Sequence, residues 1–391
     1  MSRPRQKKKV FVALSGGVDS SVVLYLLKEQ GYDVTAVFIK IGESIETSQK
    51  GGDSLYVDSC WIDERRDAMR VAAHLDVPFL TFDFEKEYKD KVLEYFFEEY
   101  KKGRTPNPDV MCNRQIKFPL FWKKARILGA DMMATGHYSR IARSNSGISN
   151  FQFPISNEGV AARQIKKKYK LLTGADKEKD QSYFIYNLKE KDLAHILFPI
   201  GDLEKKEVRE IAKKAKLPTA LKRESQGLCF LGHVNIQEFL KTRIKPKKGN
   251  VVTVDKKIVG EHNGLFYYTI GQRRGLGVKG GGDTYFVVDK NFSKNELIVA
   301  PQSQEKKYYK KELVLEDLSW VNDAPKFPLN CSARIRYRAD LEKCSVYIPP
   351  LDKGGLGGVL VKFVNPLRAV TPGQSVVFYK GDRVLGGGII K

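Results

Sequence analysis

The sequence predicts an α/β doubly wound N-terminal domain (residues 1–217), a small central mixed domain (218–287) and a C-terminal all-β barrel domain (288–391). Three observations carry this. Up to about Leu217, apolar runs of strand length alternate with stretches of helical period, the pattern of a parallel sheet covered on both faces. From Val251 onward the helical period gives way to short β-rich runs separated by glycine turns, as in a small barrel or sandwich. A length of 391 residues also exceeds what one hydrophobic core usually organises.

The elements follow in order. "VFVAL" at 10–14 is a short apolar strand, "SGG" at 15–17 a small-residue turn, and residues 20–27 the first turns of an apolar-faced helix. Residues 34–39 ("VTAVFI") read as a second buried strand and 79–82 ("FLTF") as a third. Between them Ala68, Val71, Ala72 and Leu75 share one helical face; later Phe118, Phe121, Trp122 and Ala125 repeat at i, i+3, i+4, i+7. "DMMATGHY" (131–138) returns to a strand that ends at Gly136 and His137. Two polar stretches interrupt this alternation, 43–59 and 143–168; the second reads as a long loop or extended hairpin, and both as surface excursions. Strand candidates then follow at 286–289, 297–300, 334–337, 346–348, 359–363 and 375–379, the last with a turn at 380–382 and a return at 383–390. No internal repeat or heptad is found.

The chemistry begins in "LSGGVDSS" (14–21). A strand, a glycine turn and a helix start point backbone N–H groups at one spot, where the positive helix end favours phosphate oxygens. Gly16 and Gly17 let the backbone come close, and Ser15, Ser20 and Ser21 add hydroxyls. The GK[ST] of a Walker loop is missing, so no lysine reaches a γ-phosphate from within the loop. Asp19 would repel a bare anion, and a metal between it and the phosphates is expected. An ordinary N-cap is the plainer reading, but it needs neither two adjacent glycines nor three hydroxyls.

Composition narrows the partner. Lysine and arginine number 68 against 46 acidic residues, a net charge of +22, which suits a polyanion whose counterions are released on binding. No apolar run approaches a membrane span, and the basic start "MSRPRQKKKV" runs straight into the first strand, too short for a transit peptide. Five scattered cysteines do not make a disulfide framework and fit a reducing cytoplasm. Cys60, Cys331 and Cys344 read as small buried hydrophobes.

"SGGVDSS" resembles the pyrophosphate loop of the N-type ATP pyrophosphatases, which split ATP between its α and β phosphates. Further blocks in order, "GRTPNPDVMCNRQIKF" (103–118), "ATGHY" (134–138), "KDQSYF" (179–184), "SQGLCFLG" (225–232), "TIGQRRGLG" (269–277) and "AVTPGQSVVFY" with "GGGII" (369–390), resemble those of the tRNA-specific 2-thiouridylases nearly end to end. Two places depart from the pattern: "IGESIETS" after the second strand and the longer loop after Arg143. The resemblance implies an adenine nucleotide α-hydrolase-like fold. It also implies ATP with Mg2+ as cofactors, a tRNA with a wobble uridine as substrate, and a persulfide donor such as a cysteine desulfurase relay protein as partner. By the same resemblance Ala13, Leu14, Ser15, Gly16, Gly17, Val18, Asp19, Ser20, Ile39 and Gly136 surround ATP. Asn107, Pro108 and Asp109 meet the target base; His137, Lys179, Asp180, Gln181, Arg336, Tyr337 and Gln374 touch tRNA. Cys229 carries the persulfide and Cys112 resolves it through a Cys112–Cys229 disulfide, with Asp109 as acid/base partner.

The residues agree with that chemistry on their own terms. Exchanging a carbonyl oxygen for sulfur needs the oxygen made a leaving group, which adenylation does, and a sulfur nucleophile, which a cysteine persulfide supplies. His137 also reads as an ordinary satisfied histidine, Arg336 with Tyr337 as a barrel-surface pair, and Asp109 as a turn-capping residue in N-P-D. Amidation of a small metabolite and a noncatalytic RNA-binding module are the rival functions; the first lacks a glutaminase-like segment and the second needs no phosphate loop. An iron–sulfur cluster on Asp109, Cys112 and Cys229 is the alternative sulfur chemistry, which spacing does not decide.

Overall fold

A computed structural model of the chain describes residues 7–41, 60–143, 168–223, 236–278, 283–348 and 358–391. The first strands are β1 (Lys9–Ala13), β2 (Asp33–Lys40), β3 (Phe79–Asp83) and β4 (Met132–Ala134); after the hairpin β5 (Ser139–Arg143) and β6 (Tyr169–Thr173) comes β7 (Ile196–Leu197). Their sheet has the order β3-β2-β1-β4-β7, all parallel, with Val10 opposite Val34 on one side and Met132 on the other. The period of two along β1 sorts the core: Val10 and Val12 face helix α1 (Val18–Glu29) and α2 (Cys60–His74), while Phe11 faces the aromatic cluster of Phe82, Phe121 and Tyr183. Ala68, Val71, Ala72 and Leu75 are all buried, as their spacing predicts. The chain leaves β1 toward β2 and β3, then returns to β4 and β7 on the opposite side. That reversal opens a crevice beyond the carboxyl ends of β1 and β4, where ligands of such sheets bind.

The second sheet, ordered β10-β11-β8-β9, is built from β8 (Gly249–Thr253), β9 (Ile258–His262), β10 (Tyr285–Asn291) and β11 (Glu296–Pro301). Its core is shared: Phe96, Phe97 and Tyr100 on the helix Glu94–Lys101 pack with Phe239, Val287 and Leu297.

The third sheet closes on itself. β12 (Lys310–Trp320), β13 (Leu329–Arg334), β14 (Glu342–Tyr347), β15 (Val359–Leu367), β16 (Ser375–Lys380) and β17 (Arg383–Ile390) pair in the order β12-β15-β14-β13-β16-β17, and β17 pairs back to β12 through Leu315 and Ile390. Leu313, Leu315, Val346, Val361, Val376 and Phe378 fill its interior. The β5–β6 hairpin joins the same sheet at β17, where Leu172 pairs with Arg383.

The expected strand at 334–337 is corrected: β13 stops at Arg334, and the chain turns through 335–338 with Arg338 at φ +61°. A positive φ at a residue with a side chain does not continue a strand. The expected excursion at 43–59 falls outside the described residues, as do 144–167 of the second. The flanks of the latter pair as a hairpin stem, Ser139 with Thr173 and Arg143 with Tyr169.

Candidate active site

After Ala13 the chain passes Leu14, whose amide donates to the Val37 carbonyl at 2.9 Å, and enters the glycine turn. Gly16 has φ +74°, and a Cβ there would lie 2.2 Å from the Glu64 carbonyl oxygen; only glycine lets the loop lie this close to α2. Gly17 is the N-cap of α1 and offers no side-chain acceptor to the helix's first amides. The hydroxyls brace the loop instead: Ser20 Oγ accepts from the Ser15 amide at 3.2 Å, and the Ser20 and Ser21 hydroxyls donate to the Gly17 carbonyl at 3.2 and 2.7 Å. From the other side Gly136 follows β4, and a Cβ on it would sit 3.0 Å from the Ser20 amide nitrogen. A side chain at 136 would therefore cover an amide that glycine leaves approachable. This uncapped helix start between two glycines fits a chain of phosphates. Ile39, on the neighbouring β2 opposite Phe82, is half-buried at the same edge of the sheet.

The charge facing Asp19 is a lysine. Lys205 Nζ donates to the two oxygens of Asp19 at 2.7 and 2.9 Å, and the Tyr138 hydroxyl donates to Oδ1 at 2.8 Å. Lys205 opens the helix Lys205–Lys214, and its amide is fixed on Asp176 Oδ2 at 3.0 Å. A second lysine, Lys222, donates to the Gly16 carbonyl at 3.1 Å and to Asp67 at 2.7 Å. The loop lacks a lysine of its own, yet two arrive from the far end of the domain. Sequence reading missed both, because nothing local to either marks its distant partner.

The second group of site residues lies on a short helix, Pro108–Cys112. Asn107, not Asp109, is its cap: Asn107 Oδ1 accepts from the Asp109 and Val110 amides at 3.1 and 3.2 Å, and Pro108 takes the first helical position. Asp109 is half-buried, and Cys112 is fully buried among Val110, Met111 and Ile116. A wide turn over Asn113–Lys117 follows, in which the Phe118 amide reaches back to the Asn113 carbonyl at 3.4 Å. Cys229 lies outside the described residues, so its expected pairing with Cys112 is not placed.

Residues 136–138 join the two groups. Gly136 meets Ser20, Tyr138 bonds Asp19, and His137 packs its ring on Phe118 at 5.5 Å and Phe198 at 6.0 Å while sharing a 2.7 Å hydrogen bond with Thr135. Burial, and then the Lys117 charge, push the His137 imidazole down to about 3, so it is neutral at physiological pH. The Tyr138 amide donates to Gln181 Oε1 at 3.1 Å. Asp180 is almost fully buried; it accepts from the Gly174 and Ser182 amides at 3.0 and 3.1 Å and from Arg334 at 3.3 Å. The Lys179 amide is tied to Asp176.

The barrel holds this assembly from the other side. Gln374 Nε2 donates to the Thr105 carbonyl at 2.8 Å, and the Thr105 amide donates to the Pro372 carbonyl at 2.8 Å, just before the Asn107 cap. Tyr337 stacks on Phe184 at 4.4 Å; the Phe184 carbonyl in turn accepts from Asn113 Nδ2 at 3.3 Å. Arg336 donates to the Arg368 carbonyl at 3.0 Å. Arg114 grips Asp317 with both terminal nitrogens, and Arg104 bridges Glu99 and Glu316. Among the described residues no group of three or more His, Cys, Asp and Glu side chains could hold a metal ion, and no helix is long and apolar enough to cross a membrane.

An anion cradle without a Walker lysine, set where the strand order reverses, places the molecule in the class of pyrophosphate-loop α/β enzymes. Three family profiles match the chain: "tRNA methyl transferase HUP domain" over residues 8–233, "tRNA methyl transferase PRC-barrel domain" over 237–301 and "Aminomethyltransferase beta-barrel domain" over 310–390. The tRNA-specific 2-thiouridylase of Shouchella clausii is 42% identical over 99% of this chain and 98% of its own, and that of Streptococcus thermophilus 44% identical over 98% and 95%. The Listeria monocytogenes protein of the same description is 42% identical over 100% of this chain and 96% of its own. The chain belongs to the tRNA-specific 2-thiouridylase family. Among solved structures, a 4-thiouridine synthetase–RNA complex with bound ATP is 18% identical over 60% of this chain and 50% of that one, with a TM-score of 0.34, too distant to bear on the site.

Proposed function

We propose that this chain is an ATP-dependent tRNA 2-thiouridylase acting on the wobble uridine. The observation that supports it most directly is the continuity of residues 136–138, which touch the phosphate cradle at Ser20 and Asp19 and the segment leading out of Cys112 at Phe118. A nucleotide on the first and a base at the second would share one crevice. The uridine O2 attacks the α-phosphorus and pyrophosphate leaves, held by the amides of residues 16–20. Lys205 supplies beside Asp19 the cation that the loop lacks. Asp19 would be the carboxylate that holds Mg2+, which would supply further positive charge to the leaving pyrophosphate.

Sulfur replaces oxygen in the second step. The terminal sulfur of a Cys229 persulfide bonds to C2, and AMP leaves with the former carbonyl oxygen. The Cys112 thiolate attacks the Cys229 sulfur, and the electron pair of the broken S–S bond passes to the transferred sulfur. An external thiol reduces the resulting disulfide before the next turnover, and the persulfide is restored by a sulfur relay protein. Asp109 takes the uridine N3 proton. Asn107 and Pro108 border the base; Arg336, Tyr337 and Gln374 on the barrel, with His137, Lys179 and Gln181, form the surface that meets the anticodon arm, and the buried Asp180 supports it through Arg334 and Ser182. The net charge of +22 suits that partner.

The test is nucleoside mass spectrometry of tRNA treated with the enzyme, ATP and sulfide or a persulfide donor. The expected products are 2-thiouridine, AMP and pyrophosphate in equal amounts. A methylated nucleoside, or ADP in place of AMP, would refute the reading. Iron and acid-labile sulfide in anaerobically purified protein would replace the persulfide step by cluster chemistry.

A further inference from the structure

Two cysteines that the reaction does not use face each other on neighbouring strands of the barrel wall. Cys331 on β13 and Cys344 on β14 are directly opposed in the antiparallel register, between the pairs Asn330–Ser345 and Ser332–Lys343, and their sulfurs lie 3.6 Å apart. Directly opposed residues of antiparallel strands have Cα atoms about 4.5–5.5 Å apart, inside the roughly 4.4–6.8 Å span that a disulfide bridges. The remaining step is to bring the sulfurs from 3.6 Å to the bond length of about 2.05 Å. The two thiols differ in access: Cys344 is buried in the barrel core, whereas Cys331 is half-buried and open to a small reagent.

We propose that Cys331 and Cys344 form a reversible dithiol–disulfide couple whose reaction partner is a low-molecular-weight disulfide, with Cys331 as the entry thiol and Cys344 as the resolving one. The Cys331 thiolate bonds to one sulfur of the small disulfide, the S–S bond of the reagent breaks, and the other half leaves as a thiol after taking a proton, with a mixed disulfide left on Cys331. Cys344 gives up its proton and attacks the Cys331 sulfur, expelling the second small thiol. Two electrons pass from the protein to the reagent, and excess thiol reverses both steps. The hydrogen bond with Cys331, and then burial, hold the Cys344 proton well above the ordinary thiol range, so Cys344 is not the entry thiol.

The couple sits in the strand that delivers the turn of Arg336 and Tyr337. β13 ends at Arg334, whose guanidinium bonds Asp180, and Tyr337 stacks on Phe184. The oxidised form ties this strand to β14 just before that turn.

The experiment is a titration of the full chain with reduced and oxidised glutathione, followed by differential alkylation and peptide mapping confined to the two barrel cysteines. Wild type is expected to give the Cys331 and Cys344 peptides joined, short of two hydrogens and restored by reduced glutathione. Cys344→Ser should instead accumulate one glutathione on Cys331, and Cys331→Ser should leave Cys344 unmodified in the native protein. Thermal melting of both variants shows whether the barrel is intact before the mapping is read. The proposal is overturned if wild type accumulates glutathione on Cys331 with no linked peptide, or if both thiols stay alkylatable under fully oxidising glutathione.

Discussion

Replacing Lys205 by Met removes one positive charge from the phosphate cradle, together with that charge's approach to the Tyr138 ring at 5.8 Å. The ammonium bonds both Asp19 oxygens at 2.7 and 2.9 Å, and the side chains of the pair are 14% and 32% exposed. An exposed pair contributes about 0.2–1 kcal/mol, and this one, two-pronged and half-buried, belongs at the upper end, so Lys205→Met should cost about 1 kcal/mol of stability. Tyr138 keeps its bond to Asp19, and the helix keeps its amide anchor on Asp176. The chemical cost is larger. A preorganised positive group facing charge that develops in the transition state contributes roughly 100- to 1,000-fold in rate. Single-turnover pyrophosphate release with tRNA present should fall by that factor in Lys205→Met and recover in part in Lys205→Arg. Calorimetry of inorganic pyrophosphate binding supplies an equilibrium readout that a merely structural lysine would not move. Release within about threefold of wild type, less than ~0.7 kcal/mol in the barrier, would refute the assignment.

Further outcomes follow from the same geometry. Cys229→Ser should fail to take up labelled sulfur from a donor while Cys112→Ser loads normally, and both should still release AMP and pyrophosphate; full multiple-turnover thiolation by Cys112→Ser would remove that residue from sulfur release. The affinity for tRNA should fall linearly on a logarithmic salt scale, and a flat line over a several-fold rise in salt would sink the electrostatic reading. His137 is held down to about 3 in the folded chain, so the unfolded chain binds its proton first as pH falls below about 6.5. The stability it supports is complete above that pH and drops by about 2 kcal/mol by pH 5; denaturant melts should show a flatter acid limb in His137→Gln. Gln374→Ala should raise KM for tRNA or slow thiolation without altering pyrophosphate binding, since its amide holds the Thr105 carbonyl and not the phosphate cradle.

The parallel sheet was legible because its strands are apolar on both faces and its helices keep their period; Val10, Phe11 and Val12, and Ala68 with Val71 and Ala72, are buried as their spacing requires. The glycine loop was legible too, since its function lies in contiguous residues. What the sequence hid is whatever depends on partners far away in the chain. β12 carries Lys310, Lys311, Glu312, Glu316 and Asp317 among its apolar positions, and that charge masks a strand whose Leu313 and Leu315 are buried in the barrel. Lys205 and Lys222 stand in unremarkable basic stretches and acquire meaning only when the fold sets them beside Asp19 and Gly16. Asn107 took the capping role that the N-P-D pattern gives equally well to Asp109.

The pairing of Leu172 with Arg383 has a consequence for how the chain reaches its native state. β6 is synthesised early, but β17, the strand that covers its edge, comes far behind it in the chain. At about 5–20 residues per second, some 200 residues of further synthesis keep that edge open for roughly ten to forty seconds. The ring waits as well, though for a shorter stretch of chain, because β12 closes only against β17. Final docking of the β5–β6 hairpin is therefore of high contact order, slow beside the local folding of the parallel sheet. The open edge of β6 in the meantime is the point at which two nascent copies would pair wrongly. A chain cut before residue 383 would keep that exposure permanently, which makes the C-terminal strand a folding requirement of the hairpin that borders the active site.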